Sequence, residues 1–141
     1  MIAVTGAGGK TGQAVVRALV RRGAGVRALV HRPELAAVLE ALGAGQTVTG
    51  DMRDAATLDR LLDGASSAYH ICPNMHPEEL SIGRGVIAAA QQAGVEHMVY
   101  HSVLHPQVEA MPHHWQKMRV EEESFTAGLP VTILQPAAYM Q

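Results

Sequence analysis

The chain has 141 residues, 48% of them hydrophobic, which is enough for one domain with a sizeable core. Its formal net charge is −2 with both signs dispersed, so neither nucleic acid nor an acidic membrane surface is expected as the main partner. No apolar run has the length of a signal peptide or a membrane span, and the single cysteine, Cys72, excludes an internal disulfide, so a cytoplasmic protein is expected.

The chain opens with the pattern of a strand, a glycine-rich turn and a helix. Apolar residues 1–4 lead into glycines at positions 6, 9 and 12, and a helical rhythm follows over about residues 10–22. Unpaired N–H groups at a helix N-terminus attract phosphate, and glycines let a pyrophosphate approach the backbone. The pattern therefore predicts a dinucleotide-binding turn built on Gly6, Gly9 and Gly12. An ordinary glycine turn is the alternative.

Strands and helices alternate along the rest of the chain. Further strands are predicted over residues 25–31, 46–49, 67–72, 95–102 and 130–135. Helices are predicted over residues 33–42, from a cap at Asp54 to a stop at Gly64, over residues 78–93 and over residues 113–127. The inward stripe of the helix over residues 78–93 is assigned to Leu80, Ile82, Val86, Ile87 and Ala90. This alternation requires parallel pairing through right-handed crossovers, so a doubly wound α/β sheet of order 3-2-1-4-5-6 is expected for the single domain 1–141.

The stretch Thr-Gly-Ala-Gly-Gly-Lys-Thr-Gly at residues 5–12 resembles the nucleotide loop of short-chain dehydrogenase/reductases, in the form of the atypical, NmrA-like branch. Residues 102–106, 117–121 and 132–136 resemble the same group. The resemblance implies a Rossmann fold, NADP as cofactor with NAD as the alternative, and hydride transfer to a small carbonyl or quinone. A regulatory protein that senses the dinucleotide without turnover is the second hypothesis.

Members of that family are about twice as long as this chain. The resemblance therefore implies that most of the substrate-binding portion is absent here, and the sequence predicts no particular substrate. Pairing with a second copy of the chain stays open.

The residues expected to contact the dinucleotide begin in the turn, where Thr5, Lys10 and Thr11 accompany the glycines. A NAD-selective unit has a carboxylate about 20 positions beyond the turn, whereas this chain has Arg32, which suits a 2′-phosphate. A solvated arginine at a strand end is the alternative.

Two further pairs are assigned to the cofactor. Asp51 and Met52 match the family's Gly-Asp-hydrophobic stretch, which borders the adenine ring, although Asp51 also suits a helix cap. Cys72 and Pro73 follow the fourth predicted strand, and their position places them along the ribose and pyrophosphate.

The candidate catalytic residues are Ser102, at the end of the fifth strand, and Lys117 with His113 on the next helix. The family's wider group uses a serine and a Tyr-x-x-x-Lys pair, in which the tyrosine is the acid and the lysine holds the ribose. His113 occupies the tyrosine position, so an imidazole is the substitute acid. The alternatives are a surface ion pair between Lys117 and Glu121 and a merely strand-ending Ser102. The eight histidines show no metal-ligand spacing, so no metal is expected.

Overall fold

The computed structural model describes residues 1–137, in which six strands and five helices alternate. The strands are β1 (Ile2–Val4), β2 (Val26–Val30), β3 (Gln46–Thr49), β4 (Ser67–His70), β5 (His97–His101) and β6 (Val131–Leu134). The helices are α1 (Lys10–Arg21), α2 (Glu34–Ala41), α3 (Ala55–Leu62), α4 (Glu79–Gln92) and α5 (Pro112–Thr126). No helix within residues 1–137 is both long enough and apolar enough to cross a membrane.

All six strands lie parallel in one sheet of order β3-β2-β1-β4-β5-β6. The central strand β1 pairs with β2 on one side and with β4 on the other, so that Ile2 lies opposite both Val26 and Ser67. The predicted doubly wound α/β sheet is therefore confirmed. The winding reverses between β1 and β4, and in such sheets ligands bind outside the carboxyl ends of the strands at that point.

Alternation of side chains along the strands divides the core between the two faces of the sheet. On β1, Val4 packs with Val16 of α1 and Leu39 of α2 in one cluster. Its neighbour Ala3 points to the opposite face and belongs to the cluster that includes helices α3 and α4. The period of two in a strand explains why every residue of β1 is apolar, since both faces of this central strand are covered.

The predicted boundaries hold to within a few residues. Asp54 caps α3 as expected, and its carboxylate accepts a hydrogen bond from the N–H of Thr57 at 3.0 Å. Strand β4 ends at His70, two residues earlier than predicted. The reason is that the Thr5 hydroxyl accepts the N–H of Ile71 at 2.9 Å and donates to its carbonyl at 3.1 Å, in place of a continued strand ladder.

Two glycines allow the turn between β1 and α1 to pack tightly. Gly6 has φ +59°, and a Cβ there would lie 2.5 Å from the carbonyl oxygen of Ile71. A Cβ on Gly12 would lie 2.6 Å from the Cα of Ala7 and would also collide with the Gly6 carbonyl. By contrast, a Cβ on Gly9 would meet only the Gly6 carbonyl oxygen, at an ordinary 3.6 Å. Gly6 and Gly12 are therefore required by the fold, whereas Gly9 is free of this constraint.

We expect Gly12→Ser to lower the free energy of unfolding by about 1–3 kcal/mol, because the added Cβ has no space. Gly9→Ser is the matched control and should stay within about 0.5 kcal/mol of the parent, since serine suits the helix N-cap position that Gly9 occupies. Urea unfolding of the two variants compares them directly. Equal losses would contradict the assignment.

His70 is a fully buried histidine on β4. Its Nδ1 lies 2.8 Å from the Thr5 hydroxyl, and its ring stacks on Tyr100 with centroids 5.6 Å apart. Its Nε2 has no hydrogen-bond partner among the described residues. Burial, with a smaller contribution from the Lys117 charge, lowers the pKa of His70 to about 3, so the folded protein holds this imidazole neutral.

Acid should therefore destabilise the protein through His70. Below the ordinary histidine pKa of about 6.5 the unfolded chain takes up a proton that the folded chain does not, so stability falls as pH drops from about 6.5 towards 3. Between pH 7 and pH 5 this contribution amounts to about 2 kcal/mol, and His70→Gln should remove it. His97→Gln, on the neighbouring strand, should retain it. Urea unfolding at both pH values tests this, and an unchanged acid loss in His70→Gln would disprove it.

Candidate functional site

A cleft of about 1150 Å³ runs along the carboxyl edge of the sheet. Its walls come from the turn between β1 and α1, from the segments that follow β2, β3, β4 and β5, and from the first turns of α5. Among the sequence-predicted residues, it is lined by Gly6, Gly9, Lys10, Thr11, Gly12, Arg32, Asp51, Met52, Cys72, Pro73, Ser102, His113 and Lys117. The fold thus brings together nearly all the residues that the sequence assigned to a cofactor or to chemistry.

Thr5 is the exception, since it does not line the cleft. Its side chain is buried, and its hydroxyl is engaged by His70 and by both backbone groups of Ile71. Through these hydrogen bonds, Thr5 joins the end of β1 to the end of β4 beneath the glycine turn.

The turn between β1 and α1 presents backbone to the cleft. Gly9 is the N-cap of α1. Because glycine has no side chain, no N-cap side chain accepts the free N–H groups of the first helical turn. The exposed Lys10 adds a positive charge to the same turn. A surface of backbone N–H groups with a nearby cation is suited to the phosphates of a dinucleotide.

Arg32 lies on the loop between β2 and α2, at the rim of the cleft. Its side chain is 66% exposed and approaches the Glu34 carboxylate at 3.8 Å, with Glu34 equally exposed. An ion pair this exposed contributes little to stability, so the guanidinium is available to an anionic group in the cleft. His31, the neighbouring residue, also lines the cleft.

Asp51 and Met52 follow β3, where Asp51 forms a charged network that the sequence did not predict. The Arg53 guanidinium donates to both carboxylate oxygens of Asp51, the shortest contact being 2.7 Å, and lowers the pKa of Asp51 to about 2. Arg53 also pairs with Glu78 at 2.9 Å, just before α4. Asp51 does not cap α3, because Asp54 does. Arg53 instead connects the segment that follows β3 to the segment that precedes α4, through its ion pairs with Asp51 and Glu78.

Cys72 lies in the cleft wall just after β4 and is 4% exposed. Burial, reinforced by the negative charge of Glu79, raises the pKa of the thiol to about 12. Cys72 is therefore a neutral, buried side chain and not a reactive thiolate.

Lys117 is buried, and its ion-pair partner is Glu79 of α4, with Nζ 2.7 Å from Oε1. The ammonium also lies 5.6 Å from the centre of the Tyr100 ring. Glu79 is 1% exposed and accepts a second hydrogen bond from the Tyr100 hydroxyl at 2.8 Å. The alternative of a surface pair between Lys117 and Glu121 is wrong, because both side chains face inward on α5 and each has a different partner.

Glu121 is the partner of Ser102. The Ser102 hydroxyl donates to the Glu121 carboxylate, and the amide of Gln135 donates to both oxygens of that carboxylate at 3.0 Å. Ser102 has one proton, which this bond occupies, but its oxygen can still accept. Ser102 therefore does more than end a strand, since it anchors the buried face of α5 to β5 and β6.

Histidines surround the end of the cleft near α5. His113 lines it, and its ring meets that of His114 edge-on with centroids 4.5 Å apart. His114 donates from Nδ1 to the carbonyl of His105 at 3.0 Å. His101, which the sequence analysis did not assign, lines the same region, and burial, then the Lys117 charge, lowers its pKa. Within residues 1–137 no three His, Cys, Asp or Glu side chains come together in a group that could hold a metal ion.

Glu79 is the most informative residue that sequence reasoning missed. The predicted inward stripe of α4 began with Leu80, whereas Glu79 is buried and Leu80 is only partly so. A signal was present, because Glu79 shares its helical face with Ile82 and Val86. A carboxylate on the buried face of a helix requires a buried partner, and the partner here lies 38 positions away on α5.

An all-parallel sheet of this order, with a glycine-rich turn after its first strand, defines a Rossmann-like α/β protein. The model of the NmrA-like family matches residues 1–141, and the chain belongs to that family. The resemblance drawn from the loop and from the later segments is thereby confirmed.

Known relatives include both enzymes and a regulator. An NAD(P)H azoreductase of Xenophilus azovorans is 32% identical over 146 residues, which cover 100% of this chain and 49% of the azoreductase. An NADPH-dependent quinone oxidoreductase of Escherichia coli, solved with NADPH, has a TM-score of 0.86 at 29% identity, covering 96% of this chain and 48% of that one. NmrA, a negative transcriptional regulator solved with NADP, has a TM-score of 0.81 at 28% identity, covering 94% and 43%. The chain thus spans about half the length of these relatives.

Proposed function

We propose that this chain binds NADP(H) along the cleft and is the cofactor-binding part of an NADPH-dependent reductase that transfers hydride to a small carbonyl or quinone. One observation carries the proposal: the backbone of the glycine turn and Arg32 line the same cleft as Lys117 and His113. The likeness to an NAD(P)H azoreductase and to an NADPH-dependent quinone oxidoreductase supports the proposal. Groups that complete a substrate pocket are expected in the half of these relatives that this chain does not span.

The donor set fits a dinucleotide phosphate. The uncapped first turn of α1 and Lys10 suit the pyrophosphate, and Arg32 suits a 2′-phosphate, for which its only ion-pair partner among the described residues, Glu34, is a weak competitor. The Lys117 ammonium also lies 3.5 Å from the His101 carbonyl oxygen, and its remaining N–H is expected to donate to the ribose at the nicotinamide end.

When bound, the reduced nicotinamide supplies the hydride. Delivery of a proton to a carbonyl oxygen requires a donor in the cleft that is not already committed. The Ser102 proton is occupied by Glu121, and the Lys117 ammonium, which Glu79 holds in place, is already assigned to the ribose. His113 is therefore assigned as the proton donor in this proposal, because its ring lines the same cleft and an imidazole N–H can donate to a carbonyl oxygen.

Arg32→Asp should weaken NADPH binding by about 1.5–3 kcal/mol, because a charge-assisted contact to the 2′-phosphate is lost. NADH lacks that phosphate, so its affinity should change much less. Arg119→Asp, at a partly exposed position of α5 that does not line the cleft, is the control for net charge. Calorimetric titration of the three proteins with both cofactors measures the effect, and parallel losses for NADPH and NADH would refute the role of Arg32.

Turnover separates the reductase from a second candidate, a regulator that senses the dinucleotide without consuming it. The regulator is favoured by the absence of a tyrosine at position 113 and by the likeness to NmrA. NADPH oxidation is followed by absorbance with a panel of quinones and small carbonyls. The reductase requires consumption with at least one acceptor, and there His113→Gln should lower kcat about 100-fold with NADPH affinity unchanged, whereas His97→Gln should not. Binding without consumption would support the regulator.

A further inference from the structure

Among residues 1–137, the buried charged side chains lie together beside one end of the cleft. Three of these side chains are at most 5% exposed. They are Glu79 on α4 and Lys117 and Glu121 on α5. Tyr100 of β5 completes the group by donating its hydroxyl to Glu79. Burial and the Glu79 charge raise the pKa of Tyr100 well above its usual range, so the hydroxyl keeps its proton for this bond.

Stability alone is a poor reason for such a pair. Removing two charges from water carries a large desolvation cost, and apolar side chains of similar volume often stabilise a core as well or better. The same two helices are already joined at the surface by Arg84 of α4 and Glu123 of α5, a pair with no such desolvation cost. What the buried pair adds is a fixed position for an ammonium group in the wall of the cleft.

The contacts of Glu79 define that position. Its Oε1 receives the Lys117 ammonium at 2.7 Å and the Tyr100 hydroxyl at 2.8 Å, so the carboxylate is itself held from two sides. The Lys117 ammonium lies 5.6 Å from the centre of the Tyr100 ring. Within the described part of the chain, no carboxylate other than Glu79 forms an ion pair with Lys117. Together with the His101 carbonyl oxygen, 3.5 Å from Nζ, these contacts restrict where a long, flexible side chain can place its charge.

We propose that Glu79 is a positioning residue, which acts through Lys117 to hold the ammonium where it meets the nicotinamide ribose. This inference rests on the proposed function, since it assumes that NADP(H) occupies the cleft. Glu79 itself touches no cofactor; its effect on binding passes through the ion pair.

The sign of the effect distinguishes positioning from simple electrostatics. NADPH is a polyanion, so removing a negative charge near the cleft should strengthen binding if charge alone matters. Glu79→Gln should instead weaken NADPH binding about tenfold, because the ammonium loses the carboxylate that fixes it. Adenosine 2′,5′-bisphosphate lacks the nicotinamide ribose, and its affinity should stay within about twofold, since Lys117 does not reach it.

Calorimetry with the two probes, on the parent and on Glu79→Gln, tests the proposal. Glu123→Gln is the matched control, because it breaks the surface pair between the same two helices and should leave both affinities unchanged. Unchanged or tighter NADPH binding by Glu79→Gln, or equal weakening of both probes, would overturn the assignment. A parent protein that binds neither probe would refute the proposed function instead.

The Lys117→Met background provides a second test, which does not require Glu79→Gln alone to fold. In Lys117→Met the buried Glu79 carboxylate keeps the Tyr100 hydroxyl as its hydrogen-bond donor. The double variant Glu79→Gln, Lys117→Met contains no buried unpaired charge at this position. If Glu79 acts only through Lys117, the double variant and Lys117→Met should bind NADPH with equal affinity. A further loss in the double variant would show that Glu79 acts by another route and would contradict the proposal.

Discussion

The architecture of the cleft depends on how closely α1 approaches the end of β4. Gly6 brings its backbone against the Ile71 carbonyl, and Gly12 brings the first turn of α1 against Ala7, at distances that no side chain would tolerate. The Thr5 hydroxyl then takes over the hydrogen bonds of Ile71 and ends β4. Because of these contacts, the chain leaves β4 beside the helix N-terminus, and the cleft opens between them. Every other wall of the site is added to this arrangement.

The sequence contained enough information to predict the fold because its signals are local. Strand β1 is apolar on both faces, and β2 is so apart from Arg27, which is typical of parallel strands between two helical layers. Asp54 is a helix cap that acts within three residues. The prediction failed where a distant residue decides the outcome. Strand β4 ends early because of Thr5, which lies 66 positions before Ile71, and no pattern within β4 itself reveals that hydrogen bond.

In the candidate site, too, the sequence predicted what depends on local spacing and missed what depends on distant partners. The glycine turn and Arg32 were predicted from spacing, and the fold places both in the cleft. The polar network around Lys117 was not predicted, because spacing along α5 suggested Glu121 as its partner. Residues four apart do share a helical face, but that face is buried here, and each side chain has found a partner elsewhere. Helical periodicity therefore correctly predicted that Lys117 and Glu121 share a face of α5, but the expectation that this face is exposed was wrong.

The two ends of the cleft differ in how their charges are held, and this difference bears on function. At one end Arg32 and the pair of Arg53 with Asp51 are partly exposed, so solvent and salt screen them and their loss costs the fold little. At the other end Lys117 and Glu79 are buried and depend on each other. Under the proposed function, the exposed end accounts for capture and selection of the dinucleotide, which an enzyme and a regulator need equally. Under the same proposal, the fate of the nicotinamide is decided at the other end, where His113 lines the cleft together with Lys117 and is the group assigned to turnover.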